Sequence, residues 1–278
     1  MAQDDQLILE VDPREIKYLS VIGEGTTAVV HLARFNGAQV AVKEIRASAE
    51  CAECDEGTLQ AVEREVGTLS QVKHENIVGF IGISLAALPI RLVLEYCAGG
   101  SLFELLHNRY NISVSWKQRL KMLSDVASAL DYLHNFEPPI LHRDLKSLNM
   151  MLLDQVTNEF DDVVVKLGDF GFARILEERS MTRGVGTKHW MAPEVLAGTD
   201  YTEKADVFSF AMAAFEVICR HSVAQAISRG ERPEWPDPQD LMPSMPEGLL
   251  VMVESCWAQS PGDRPTIGKI KGEIERFR

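Results

Sequence analysis

A chain of 278 residues can bury a core that needs neither disulfides nor a structural metal, and 46% hydrophobic with 25% charged residues is the balance of a soluble globular protein, which excludes disorder for the bulk. Its 28 Lys and Arg face 41 Asp and Glu, a formal charge of −13 that argues against nucleic acid or an anionic membrane surface as the main partner. Between residues 16 and 45, short β-branched runs (Val29-Val30-His31-Leu32 and Val40-Ala41-Val42) predict antiparallel strands, and Asn36-Gly37 predicts a hairpin turn. Val62, Val66, Leu69 and Val72 then recur at helical spacing, the stripe of one amphipathic helix, before two more strands around residues 77–83 and 90–95. The Gly-rich stretch from Cys97 to Ser101 reads as a connection. Beyond it, Leu120, Leu123, Val126, Leu130 and Leu133 predict a long helix, residues 207–218 are apolar almost all round as a buried helix is, and short strands fall only near 150–153 and 163–167. The pattern predicts an α+β fold: a small antiparallel β-sheet lobe with one helix (16–96), a hinge (97–100) and a larger, mainly helical lobe (101–278), with the cleft between lobes as the expected ligand site.

Several residues carry chemistry. Gly23-Glu24-Gly25 opens a turn whose bare N–H groups can approach a phosphate. With Ala28 it also satisfies a dinucleotide-binding pattern, but the residues that follow are β-branched, where that pattern needs a helix. Lys43 shares a strand face with Ala41, and Glu65 lies on the helix that follows; each is an ordinary solvated side chain unless the two pair and turn Lys43 toward a phosphate. His142-Arg143-Asp144-Leu145-Lys146-Ser147-Leu148-Asn149, followed by Asp169-Phe170-Gly171, is far more specific. Two carboxylates and an amide after apolar strands are the oxygen donors that a Mg²⁺-nucleotide needs. Asp144 can accept the proton of an attacking hydroxyl, while Lys146 offsets charge on a phosphoryl group.

With GEGTTAVV, VAVKEI, HRDLKSLN, DFG, Gly186-Thr187, Trp190-Met-Ala-Pro-Glu194, KADVFSF and PGDRP in this order, the chain resembles a eukaryotic protein kinase catalytic domain over about residues 16–277. The wording of HRDLKSLN, GTKHWMAPE and CWAQSPGDRP is most similar to the tyrosine-kinase-like group of Ser/Thr kinases, the mixed-lineage and Raf kinases among them. The resemblance implies one kinase domain that transfers the γ-phosphoryl of Mg·ATP to Ser or Thr of protein substrates, with ATP and Mg²⁺ as cofactors. It implies that Ile22, Gly23, Glu24 and Gly25 cover the phosphates, that Lys43 binds them and pairs with Glu65, that Asp144 is the catalytic base, and that Asp169 and Asn149 hold Mg²⁺. Val30, Ala41 and Met151 then enclose the adenine, Leu94 guards the back of the pocket, and Glu95 and Cys97 offer backbone hydrogen bonds. Glu194 and Arg264 form a buried pair, Asp206 steadies the His142-Arg143 backbone, Phe170 follows the metal ligand, and Thr187 bonds Asp144 and Lys146. That lysine and threonine resemble the Ser/Thr kinases rather than the tyrosine kinases.

Arg143 before the base predicts regulation by phosphate on the following segment, where Ser180 and Thr182 are the hydroxyls available, with Arg174 or Arg183 as a second cation. The donor of that phosphate is an activating kinase or a second copy acting in trans. The segment 220–229 is short and lacks the Gly-x-x-Pro-Phe expected there, which bears on substrate docking. Cys51 and Cys54 sit in an acidic stretch with no second pair at zinc spacing, so this reads as a solvated insertion, as does the acidic hairpin at 154–162. Residues 1–9 carry no basic stretch and no secretory signal is read there; the longest apolar run, 79–90, is too short to cross a bilayer. Together with five scattered cysteines that suit reduced thiols, this predicts a cytoplasmic protein, with the nucleus as the alternative. The rivals are a catalytically silent scaffold and a dual-specificity or tyrosine kinase; oligomeric state is left open.

Overall fold

The structure, a computed structural model, describes residues 9–25, 28–46, 56–86, 88–171, 173–175, 188–223, 231–237 and 245–278. The chain divides into two compact units between Cys97 and Ala98.

In the first unit, β1 (Lys17–Glu24), β2 (Ala28–Phe35), β3 (Ala38–Ile45), β4 (Phe80–Ser84) and β5 (Arg91–Glu95) form one sheet in the order β1-β2-β3-β5-β4, antiparallel throughout. The turn between β2 and β3 is made by Asn36 and Gly37 with φ of 50° and 82°, the left-handed pair that matches the strands' own twist. Period-two alternation separates the two sheet faces. Val40 and Val42 pack on one side with Ala33, Phe35 and Val93, while Ala41 and Lys43 turn to the other. The helix α1 (Glu56–Gln71) buries Val62, Val66 and Leu69, as its stripe predicts.

A strap ahead of β1 completes this unit. The N–H of Ile83 donates to the carbonyl of Leu9 at 2.9 Å, and that of Val11 donates to the carbonyl of Ile83 at 2.7 Å, so residues 9–11 run parallel to the outer edge of β4. Val11, 1% exposed, and Ile16 join the cluster of Ala33, Phe35, Val40, Val42 and Val93. The close approach depends on Gly82: a Cβ there would stand 2.5 Å from the Leu9 carbonyl oxygen. Beside the strap, Arg91 Nε donates to Glu44 at 3.0 Å and to the Tyr18 hydroxyl at 2.8 Å, and Tyr18 donates to Glu44 at 2.6 Å, which ties three strands across the same face. Burial, then the bond to Glu44, pushes the Tyr18 phenol up to about 12.

The second unit is mainly helical. The strand β6 (Gly100–Ser101) leads into α2 (Leu102–His107), where the Ser101 hydroxyl oxygen caps the helix by accepting the Glu104 N–H. The long helix α3 (Trp116–His134) starts from a reciprocal capping box of Ser115 and Gln118. Next come β7 (Ile140–Leu141), β8 (Met150–Leu152), β9 (Val165–Leu167) and β10 (Arg174–Ile175), with β6-β8-β9 in one sheet and β7 paired to β10. The connection expected to be a plain linker is thus partly a ladder, Gly100 facing Leu152 and Ser101 facing Met151. The acidic turn between β8 and β9 is closed by Asp161, which accepts from Thr157 and Asn158, and it is tied to α3 by Gln118. Among the described residues the remaining α-helices are α4 (Pro193–Leu196), α5 (Lys204–Cys219), α6 (Leu249–Cys256) and α7 (Ile267–Phe277). Residues 205–218 of α5 are all buried.

Two arginines close the carbonyl ends of these helices. Arg220, in the left-handed region at φ 56°, donates to the carbonyls of Leu105 and Leu106 in the last turn of α2 and of Arg109 and Ile112 beyond it, at 2.7–3.1 Å. Arg119 from α3 reaches the carbonyls of Val217 and Ile218 at the end of α5. Burial and the neighbouring Arg220 bring the Arg119 guanidinium down to about 10, which still leaves it charged at neutral pH.

Candidate active site

In the first unit the register places Val30 opposite Lys43, and Leu94 opposite Ala41, so Val30, Ala41, Lys43 and Leu94 share one sheet face. Lys43 Nζ donates to Glu65 Oε1 at 2.7 Å, with side-chain exposures of 15% and 6%. Neither residue is the solvated side chain that each resembles alone. Because α1 runs beside this face of the sheet, its carboxylate meets the strand lysine. Gly23 lies opposite Val30, past an irregularity in β1 that takes up Ile22; the Gly25 N–H donates to the Ala28 carbonyl at 2.9 Å, and Glu24 pairs with Arg46. A Cβ added at Gly23 or Gly25 would meet nothing closer than 3.6 Å, so this unit's own packing does not require glycine there. Glu95 is held by Gly79 at its N–H and at its carboxylate, and Cys97 is buried.

In the second unit the segment 142–149 is folded around Asp144. Its carboxylate is 2% exposed, and Oδ2 accepts from Lys146 Nζ at 2.6 Å and from Asn149 Nδ2 at 2.9 Å. Asn149 Nδ2 also donates to the Asp144 carbonyl at 2.8 Å, which leaves the amide oxygen as the atom able to face a cation. From beneath, Asp206 accepts the backbone N–H of His142 and of Arg143, each at 2.9 Å, and His134 Nε2–H at 3.0 Å. Burial pushes this carboxyl up, but the bond from His134, the nearby His142 and the Arg143 N–H outweigh it, and the net direction is below the usual carboxylate range. Sequence spacing does not mark His134 as a partner; its only sign is its place as the last residue of α3, one turn past Leu130.

Asp169 is exposed and sits in the left-handed region at φ 60°, as does Arg143 at φ 67°. Non-glycine residues rarely take this conformation unless their surroundings impose it. Here the Gly168 N–H donates to the Asn149 carbonyl at 2.9 Å, His142 Nε2 donates to the Gly168 carbonyl at 3.1 Å, and Phe170 sets its ring edge-on to His142 at 5.1 Å. These contacts clamp the residues on both sides of Asp169 to the 142–149 segment. Met151 lies in β8 opposite Ser101 and Lys166. The Arg143 guanidinium lies 5.4 Å over the Tyr201 ring, a contact that sequence spacing does not reveal.

Arg264, with no exposed side-chain surface, forks onto Glu194 through two bonds of 2.6 and 2.8 Å and donates further to the carbonyls of Ala258 and Lys204. Ser180, Thr182, Arg183, Thr187, Cys51, Cys54 and residues 224–230 lie outside the described residues. Among the described residues Cys97, Cys219 and Cys256 form no disulfide, and burial pushes the thiols of Cys219 and Cys256 up to about 12, so those two stay protonated and unreactive at neutral pH. Among the described residues no helix is long and apolar enough to cross a membrane, and no group of three or more His, Cys, Asp and Glu side chains forms a metal cage.

A β-sheet unit and a helical unit that carry these two constellations are the make-up of a protein kinase domain. Residues 16–273 match the protein kinase domain, and the chain belongs to that family. It is 32% identical over 98% of its length to a probable serine/threonine-protein kinase, drkC, of Dictyostelium discoideum, and 35% identical over 96% to the mitogen-activated protein kinase kinase kinase 7 of Drosophila melanogaster. An RGS domain-containing serine/threonine-protein kinase of Dictyostelium discoideum is 33% identical over 94%. The chain spans 36%, 38% and 23% of the lengths of these three relatives.

Proposed function

We propose that the chain is a protein serine/threonine kinase that transfers the γ-phosphoryl of Mg·ATP to a Ser or Thr hydroxyl of a protein. The observation that carries this is the buried Asp144 carboxylate, held by Lys146 and Asn149 above a backbone fixed by Asp206. A substrate hydroxyl oxygen attacks the γ-phosphorus as the bond to the bridging β-oxygen breaks; ADP leaves, and the hydroxyl proton passes to Asp144. Lys146, bonded to the same carboxylate, offsets negative charge on the group in transfer. Lys43, oriented by Glu65, receives the α and β phosphates as a point charge.

The glycines at 23 and 25, which no internal packing requires, suit a backbone that must lie close to phosphate oxygens. Ile22 and Glu24 belong to the same turn. Val30, Ala41 and Leu94 offer apolar surface on one sheet face to an adenine ring, Met151 is assigned the same role, and Glu95 and Cys97 offer backbone groups to its edge. Asp169 and Asn149 supply carboxylate and amide oxygens, the donor types a hard cation prefers, so they would hold Mg²⁺; when bound, the ion neutralises phosphate charge. Supporting the Ser/Thr choice are Lys146 after Asp144 and the names of the relatives. Phosphate on Ser180 or Thr182 is the proposed activator, with Arg143 as its receiver.

The test is transfer of labelled phosphoryl from Mg·ATP to a basic generic protein, followed by phosphoamino-acid analysis. Label on Ser and Thr, reduced about 10²–10⁴-fold in Asp144→Asn and lost in Asp169→Ala, is the expected result. Label on Tyr would replace the Ser/Thr assignment. No label from wild type, even after phosphomimetic change at Ser180 and Thr182, would favour a silent scaffold.

A further inference from the structure

The segment 142–149 is wrapped around Asp144, and almost everything in it is turned inward. His142, Asp144, Leu145, Ser147 and Asn149 are buried, and Arg143 and Lys146 are partly so. Leu148 is the exception: at 42% it is the one exposed residue between Leu141 and Met150. A single leucine in water is ordinary anywhere on a protein, so what counts is where this one stands.

Local geometry fixes that place. Ser147–Asn149 form a 3₁₀ turn, closed by the Asn149 N–H, which donates to the Lys146 carbonyl at 2.9 Å. Three residues per turn set neighbouring side chains about 120° apart. With Ser147 at 0% and Asn149 at 8% turned inward, and with α2 and β6 packed on the turn, Leu148 is left on its open side. Around it stand the two residues that grip the base: Lys146 and Asn149 both donate to Asp144 Oδ2. A hydroxyl that gives its proton to this carboxylate arrives on a chain that passes beside Leu148. Adjacent Cα atoms are about 3.8 Å apart and an extended peptide advances about 3.4 Å per residue, so the passing side chain stands within about three positions of the Ser or Thr.

We infer that Leu148 is a specificity-determining residue: it gives the protein substrate an apolar contact close to the phosphoacceptor, so the kinase selects sites with an aliphatic or aromatic side chain at one nearby position. The inference deepens the kinase reading above and rests on it. The phosphotransfer chemistry makes no use of the leucine, which has no proton to move and no charge to offer. The net charge of −13 acts over a longer range, drawing basic proteins in, while the residue beside the hydroxyl is chosen by contact. A contact of about 50 Å² of apolar surface changes affinity about fivefold to tenfold. Because it is made equally before and during transfer, it acts on KM rather than on kcat.

The test is a set of peptides with a single Ser, in which Leu, Arg or Glu is walked from about three positions before it to about three after. In wild type, one position is expected at which Leu lowers KM about fivefold to tenfold against either charged residue while kcat holds. In Leu148→Ala that advantage shrinks to less than about twofold. In Leu148→Glu, which puts a carboxylate at the same exposed place, the same position comes to favour Arg. A merely structural role would not reverse a preference at one position. Both variants should melt with wild type, since the side chain they change is largely in water. Peptides that are phosphorylated with no apolar preference at any position overturn the inference and leave the kinase reading in place. So does an apolar preference that Leu148→Glu leaves unchanged. If wild type labels neither the peptides nor a basic protein, even after phosphomimetic change at Ser180 and Thr182, the kinase reading fails and takes this inference with it.

Discussion

Asp206 gathers three donors onto one buried carboxylate, against two on that of Asp144 among the described residues. Its two oxygens take two backbone N–H groups of the 142–149 segment and the ring of His134, so losing the charge would release three donors into a buried space. Because its carboxyl is held below the usual range, the stability it contributes is present above the unfolded value near pH 4 and is lost as pH falls through the folded value. Asp206→Asn is therefore expected to cost about 3–5 kcal/mol at neutral pH. In a series of melting curves, the gap between wild type and variant should stay constant above about pH 4 and close below it. Position alone marks Asp206 as an ordinary first-turn acid of α5, and only the resemblance to a family ties it to the His142-Arg143 backbone, because the two lie 64 positions apart and no periodicity links them.

Helices and strands differ in how they use glycine, and two positions make opposite predictions. Gly67 lies within α1, and an added Cβ there would meet nothing within 4 Å. Gly67→Ala should stabilise the protein by about 0.5–1 kcal/mol, since alanine gives up less freedom in a helix. Gly82 lies in β4, where a Cβ would collide with the Leu9 carbonyl at 2.5 Å and the Val11 side chain at 2.8 Å. Gly82→Val should detach residues 9–11. Hydrogen exchange would then show lost protection at the Val11 and Ile83 amides, with that of β2 and β3 kept. At the level of elements the sequence is most readable where a signal is local. Asn36-Gly37 states its turn, and the Val62, Val66, Leu69 stripe states its helix. The strap and the Arg220 staple join residues up to 115 apart and carry no periodicity, so only the folded chain reveals them.

For the molecule as a whole, the ordered motifs made the family legible because phosphoryl transfer needs particular atoms in particular loops, and few other residue types supply them. Local packing is a different matter. The family's match starts at Ile16, whereas the cluster on the outer sheet face starts at Val11. A fragment cut for expression at residue 16 would lose the plug that covers Val40, Val42 and Val93 and would bare the backbone of β4 along its outer edge. Unpaired edges of that kind recruit the edges of other copies. Such a fragment is expected to scatter light and sediment as aggregates where one beginning at residue 9 stays monodisperse. The smallest self-sufficient piece of this chain is therefore set by a three-residue ribbon that the family's own boundary leaves out.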